Sequence, residues 1–226
     1  MSKINIAIDG LSGCGKSSTA KAVARELGYT FIDTGAMYRS VTLFFIQNEI
    51  DLNDPQAVRA ALAKIEIEFR FNKELQKAET YLNQQNVEQE IRKLYVAEKV
   101  SQVATIKAVR VAMVEQQQRM GKDKGVVMDG RDIGSVVFPD AELKVFMTAQ
   151  TQVRAQRRKQ ELEEKGERAD INQIMINLEE RDRIDSTRAE SPLIQVQDAV
   201  VIDTSHMEFK DQVEKVLTLA TEKIGE

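Results

Sequence analysis

Eight residues near the start of the chain, GLSGCGKS from Gly10 to Ser17, combine three glycines with a lysine and a hydroxyl. Glycine weakens regular structure, so a cluster of it directly after the apolar run INIAI points to backbone that must approach something closely. The chemistry such a stretch can perform is phosphate binding. Glycines let successive N–H groups turn inward, a helix N-terminus behind them adds positive potential, and the lysine reaches the outer phosphates. Gly10, Gly15, Lys16 and Ser17 have the spacing of a phosphate loop set between a strand and a helix. Ser12, Gly13, Cys14 and Ser18 complete the expected nucleotide-binding stretch, with Ser17 facing Mg²⁺. A glycine-rich turn with no ligand is the alternative. Asp129, which ends the run GVVMD, is the expected second metal residue, acting through water. An Asp that merely caps the following turn would look the same. Cys14 reads as a small loop residue rather than a redox centre.

The elements that must position this loop follow from the distribution of apolar residues. Five short runs, INIAI (4–8), TFID (30–33), GVVMD (125–129), LKVFM (143–147) and AVVID (199–203), lack strict alternation. Strands covered on both faces have that character. Helix-patterned segments separate them, so the chain predicts an α/β fold with a five-stranded parallel sheet and helices on both faces. Between the second and third runs, IEIEFRF (65–71) and KAETYLNQQNV (77–87) alternate with period two around NKEL, which predicts a small antiparallel insert. From about Glu88 to Gly121 the pattern is helical, with Ile91, Leu94, Ala97, Val100 and Val103 or Ala104 on the apolar stripe. Residues 151–191 are crowded with charges of both signs, as in a solvated helical face or a mobile flap.

Bulk properties limit the partners. Lys and Arg total 32 against 36 Asp and Glu, a net charge of −4, so no uniform basic field is available to hold a nucleic acid. With 226 residues one principal domain is expected, taking small ligands rather than polymers. A single cysteine forms no internal disulfide, and the opening MSKINIAIDG has neither a leader's apolar core nor a membrane-spanning segment. A cytoplasmic protein with no membrane partner, acting as a monomer, is the expectation.

A phosphate loop alone specifies only that a nucleoside triphosphate binds. No Asn-Lys-x-Asp guanine-reading motif occurs, which disfavours a GTPase switch. The stretches DTGAMYR (33–39), DGRDIGSVVFPDAELKVFM (129–147) and ERDRIDSTR (180–188) closely resemble those of the bacterial cytidylate kinases, in the same order and over nearly the whole chain. That resemblance implies a P-loop kinase core at residues 1–60, 88–150 and 191–226, an insert at 61–87 that helps to hold the monophosphate, and a helical lid at 151–190. It implies ATP-dependent phosphorylation of CMP and dCMP, with Mg²⁺. By resemblance, Thr34, Arg110 and Asp132 would contact the cytosine, and Ser101, Arg181 and Asp185 the sugar. Arg39, Arg131 and Arg188 would grip the CMP phosphate, with Tyr38 lining the same pocket. Arg154 and Arg158 resemble lid arginines that meet ATP, and Lys16, Arg131, Arg158 and Arg188 would form the catalytic set.

The chemistry of those residues agrees with this assignment. An Asp paired with an Arg matches the amino donor and ring-nitrogen acceptor of cytosine, whereas uracil would meet each with a like group, at a cost of roughly 1 to 3 kcal/mol apiece. Arg181, Asp185 and Arg188, spaced i, i+4, i+7, would share one helix face, although a surface salt bridge has the same spacing. Ser101 and Arg110, nine residues apart, would lie on opposite sides of a straight helix. A break is therefore predicted near Ile106 to Ala108, even though Lys107 stands where members of the family often carry a proline. The acceptor phosphate is already largely dianionic at neutral pH, so no general base is required. His206, after the last strand, is read as a surface residue. Two other readings stay open: a P-loop kinase for a different small acceptor, and a non-catalytic nucleotide-binding module.

Overall fold

A computed structural model describes residues 2–72, 74, 77–164, 166, 168 and 170–225. By contacts the chain divides into two compact units, one comprising Met1–Phe31 and Gly121–Glu226, the other Ile32–Met120. Lys73, Leu75 and Gln76 of the predicted insert, and Lys165, Glu167 and Ala169 of the predicted lid, lie outside the described residues.

The first unit is built on strands β1 (Asn5–Gly10), β2 (Thr30–Asp33), β6 (Val126–Asp129), β7 (Leu143–Thr148) and β8 (Val200–Asp203). They form a parallel sheet of order β2-β6-β1-β7-β8, and the chain leaves this unit for the other within β2. All six residues of β1 are buried, which explains why Ile6, Ala7 and Ile8 follow one another without polar alternation. Register places Ile8 opposite Asp129 on one side and Val145 on the other, so β6 ends beside Ile8 while β1 runs on to Gly10. Helix α1 (Lys16–Leu27) and helix α8 (Phe209–Gly225) supply Ala20, Val23, Ala24, Val216 and Ala220 to a core shared with Ile6, Ile8, Val127, Val145, Met147 and Ile202. Gly28, at φ 65°, stops α1 by bonding back to Ala24 and Arg25 in the left-handed conformation that glycine tolerates. Helices α6 (Thr151–Glu164) and α7 (Ile171–Thr187) pack on one another around Ala155, Ile174 and Leu178.

The second unit holds α2 (Thr34–Gln47), α3 (Pro55–Leu62), strands β3 (Ile67–Asn72), β4 (Lys77–Leu82) and β5 (Gln85–Asn86), a 3₁₀ turn at Glu90–Arg92, α4 (Leu94–Val103) and α5 (Lys107–Met120). The insert is antiparallel as expected, and it has three strands, in the order β3-β4-β5. Residues 77–87 are folded by a two-residue turn in which Asn83 and Gln84 have φ 47° and 70°. Two consecutive positive φ values match the twist of a tight hairpin, although the sequence lacks the usual glycine there. The expected apolar stripe is also shifted. Ile91, Val96, Val100 and Val103 are buried, whereas Leu94 is 68% exposed. Lys93 is extended, so the helical phase restarts at Leu94 rather than running on from Ile91.

The helix breaks where the nine-residue spacing required it. Helix α4 closes on 3₁₀-type bonds from Thr105 N to Gln102 O and from Ile106 N to Val103 O, and α5 starts at Lys107. Arg110 Nη1 donates to Ala104 O at 3.3 Å, satisfying one of the carbonyls that the end of α4 leaves exposed.

Candidate active site

In the first unit the loop between β1 and α1 has the conformation of a backbone cradle. Gly10 is at φ 141°, and a Cβ there would stand 1.9 Å from Met147 O, so no other residue fits. Gly13 and Gly15 have φ 76° and 97°, and Gly15 occupies the N-cap of α1 with no side chain between the helix end and a ligand. Lys16 is buried. Its Nζ donates to Leu11 O at 2.5 Å and lies 3.7 Å from Cys14 Sγ. Burial, and after it the charge of Arg131, draws the Lys16 pKa below its ordinary value.

Ser17 and Asp129 meet beside this lysine, Ser17 Oγ donating to Asp129 Oδ2 at 2.6 Å. A hydroxyl and a carboxylate, both hard oxygen donors, suit Mg²⁺, which takes few protein ligands and keeps waters and phosphate oxygens for the rest. Among the described residues no cluster of three or more His, Cys, Asp or Glu offers a denser cage. The residues present therefore fit the expected ion.

The segment after β6 carries the next group. Arg131 Nε donates to Asp185 Oδ2 at 2.8 Å, and Arg188 Nη1 to Asp185 Oδ1 at 3.3 Å, so one carboxylate of α7 spaces two guanidinium groups. Burial pushes the Asp185 carboxyl up, but Arg131 and then Arg188 outweigh it and hold the group below the usual carboxylate range. Asp132 is buried, with Oδ1 3.9 Å from Arg188 Nη2. The arrangement differs from the expected helix face in one respect. Helix α7 ends at Thr187, and Arg188 is its C-cap residue in an extended conformation, not a helical one. Its guanidinium is fixed instead by Ser191 O, which accepts from Nε at 2.9 Å and Nη2 at 2.7 Å. Arg181 is half-buried on α7 and contributes to lowering the Asp185 pKa.

Sequence reasoning missed Asp9. It lies at the end of β1, and its two oxygens accept from Ile133 N at 2.8 Å and Gly134 N at 2.7 Å. The π-helical turn Ile133–Val137 that follows Asp132 is thereby pinned to β1. Burial raises the Asp9 pKa to about 6 despite both amide bonds, with the Asp132 charge adding to the rise and Lys16 opposing it. The one signal available in sequence was a carboxylate in an otherwise apolar strand.

The two arginines assigned to ATP behave differently from one another. Arg158 is exposed and pairs with Glu161 at 3.0 Å. Arg154 departs from the picture of an open lid residue. Its side chain is 4% exposed, and it donates to Ala149 O, Ser12 O, Asp182 Oδ2 and Thr151 Oγ1. Breaking those bonds to reach a nucleotide would strand several polar groups in a dry place. Arg157, which the sequence did not single out, reaches the cradle's far side, donating to Thr204 O at 2.7 Å and to Thr204 Oγ1 at 3.1 Å, while Thr204 Oγ1 donates to Cys14 O at 2.9 Å. His206 is exposed, as expected.

In the second unit, Thr34, Tyr38 and Arg39 come from the first turns of α2, which Asp33 caps by accepting from Ala36 N at 2.8 Å. Arg92 Nη2 donates to Asp33 Oδ2 at 2.9 Å. Burial would raise the Asp33 pKa, but Arg92 and then Arg39 hold it low. Arg110 is buried with its guanidinium carbon 5.3 Å from the centre of the Tyr38 ring, so the break before α5 turns it toward α2. Ser101 is half-buried on α4. The predicted monophosphate residues thus fall into two internally organised sets, one in each unit.

A parallel sheet whose first strand runs into a glycine cradle, followed by a helix carrying Lys16 and Ser17 and faced by a strand-end carboxylate, defines a P-loop nucleotide-binding protein. Comparison with known proteins narrows this class. The family model described as "Cytidylate kinase" matches residues 6–222. A curated cytidylate kinase of Cytophaga hutchinsonii is 55% identical over 226 residues, spanning 100% of this chain and 97% of that relative. Another from Parabacteroides distasonis is 54% identical over 228 residues, spanning all of both chains. Among solved structures, an uncharacterized protein from Eubacterium ventriosum superposes with a TM-score of 0.54 at 12% identity, covering 97% of this chain and 99% of that one, which is a likeness of fold alone. The chain belongs to the cytidylate kinase family.

Proposed function

We propose that this chain transfers the terminal phosphoryl group of ATP to CMP and dCMP, giving CDP and dCDP, by direct in-line displacement with Mg²⁺. The observation that carries this reading is the family match along the whole chain, at 55% identity to a curated relative. The intact cradle and the Arg131–Asp185–Arg188 cluster support it.

In this reading the amides of Gly13 to Ser18 and the Lys16 ammonium bind the ATP phosphates, with Gly10, Ser12 and Cys14 shaping the loop. Lys16 exchanges its bond to Leu11 O for a phosphate oxygen. Ser17 and Asp129, the latter through water, would hold Mg²⁺, which when bound would supply positive charge to the phosphates. Arg39, Arg131 and Arg188 bind the acceptor phosphate, and Asp185 keeps the last two from repelling one another. Arg110, Thr34 and Asp132 read the cytosine, Ser101, Arg181 and Asp185 the sugar, and Tyr38 backs the base. Residues 61–87 serve as the monophosphate insert and α6 with α7 as the lid, from which Arg158 meets the transferring group. Catalysis is alignment and charge neutralisation by preorganised donors, with no proton acceptor required.

The cytoplasmic, monomeric state belongs to the same proposal. Among the described residues no helix is long and apolar enough to cross a membrane. The test is ADP release followed with CMP, dCMP, UMP and AMP as acceptors. Rapid turnover with the two cytidylates and little with the others is expected. Equal turnover with AMP or UMP, or no transfer to any monophosphate, would overturn the proposal.

A further inference from the structure

Ser12 of the cradle belongs to a closed ring of hydrogen bonds with side chains of α6 and α7. Ser12 N donates to Asp182 Oδ1 at 3.0 Å, Asp182 Oδ2 accepts from Arg154 Nη1 at 2.5 Å, and the same Nη1 donates to Ser12 O at 2.9 Å. One carboxylate from α7 and one guanidinium from α6 therefore hold both backbone polar groups of a single loop residue. The next residue is gripped by packing. A Cβ on Gly13 would lie 3.5 Å from Arg154 Cβ and 3.7 Å from Leu178 Cδ2. Arg154 is itself pinned by Ala149 O and Thr151 Oγ1, at 2.9 and 3.0 Å. The pair is largely out of water, with side chains 4% and 15% exposed, so removing either partner leaves the other charge poorly solvated against the loop backbone.

The geometry points to Asp182 as a positioning residue for the phosphate loop: it fixes the Ser12 peptide, and through it the orientation of the amides that follow. It also makes the shape of the cradle depend on the packing of α6 against α7. A backbone cradle stabilises charge only to the extent that its donors are already aimed, so a support behind it acts on nucleotide affinity without touching nucleotide. The inference rests on the proposed binding of ATP by this loop.

The experiment compares Asp182→Ala and Asp182→Asn with wild type, and uses Glu180→Gln, an exposed α7 carboxylate paired with Arg183, as control. ATP affinity is read by calorimetry with Mg²⁺, CMP affinity separately, and thermal stability alongside. Asp182→Ala is expected to weaken ATP binding about tenfold or more, the effect of one lost charge-assisted bond, with CMP affinity unchanged. Asp182→Asn, whose amide oxygen still accepts from Ser12 N, falls between, and decides the matter if the alanine variant does not fold. Glu180→Gln is expected to match wild type. Unchanged ATP affinity in the Asp182 variants, or ATP and CMP affinities falling together in step with stability, would overturn the inference. A wild-type chain that bound no ATP would instead overturn the reading of the loop, and this inference with it.

Discussion

Asp9 shows how a single buried carboxylate can serve position at the expense of stability. Its pKa is about 6 in the fold, because burial outweighs two amide bonds, against 3.8 for the free group. A carboxyl raised on folding binds more protons in the native state. Its contribution is fully present below about pH 4 and is lost as pH rises through 6, leaving the ionised form costing about 3 kcal/mol at pH 7. Asp9→Asn should therefore flatten the dependence of unfolding free energy on pH between 4 and 6, measured by urea titration. It should also impair turnover at pH 7, because one of the Ile133 and Gly134 amides loses its acceptor. A slope identical to wild type would contradict this account. Asp185 works in the opposite sense, holding two arginines that would otherwise repel. Asp185→Ala is expected to raise the KM for CMP strongly and to lower kcat/KM by ~10²-fold, the scale of losing one aimed charge contact, in steady-state assays.

Elements differ in how far their sequences disclosed them. The five core strands were legible because doubly covered strands are continuous apolar runs, and the loop was legible because glycine, lysine and serine at that spacing have few other uses. The break between α4 and α5 could be inferred only because Ser101 and Arg110 were both assigned to one ligand. It forms with Lys107 as the first residue of α5. What stayed hidden depends on partners distant in sequence. Asp182 meets Ser12 across 170 positions, and in a charged helix it looks like any solvated carboxylate. Arg188 keeps helical spacing although the helix has already ended at Thr187, whose hydroxyl donates to Arg183 O at 2.7 Å. The turn at Asn83 and Gln84 was missed because glutamine gives no sign of positive φ. Gln84, at φ 70°, pays a conformational penalty that glycine avoids. Gln84→Gly should therefore stabilise the protein by about 1 kcal/mol, net of its exposed side-chain bonds to Glu68 and Arg70, in chemical denaturation. A loss of stability would mean that those bonds outweigh backbone strain.

At the scale of the whole molecule, the chain comprises two compact units, and charged residues in each are organised by carboxylates rather than left to repel. Asp33 restrains Arg92 and lies close to Arg39 in one unit, and Asp185 spaces Arg131 and Arg188 in the other. With a net charge of −4, such local cationic groups are how the protein offers anions a site without becoming basic overall. In the function proposed above, Asp132, which lies in the turn after β6 with Oδ1 3.9 Å from Arg188 Nη2, is the residue that selects cytosine. The most direct measurement is kcat/KM for CMP and for UMP, in wild type and in Asp132→Ala. The account predicts a strong preference for CMP in wild type that collapses in the variant chiefly through loss of CMP activity, while ATP affinity is retained. A preference ratio that survives the substitution unchanged would contradict it.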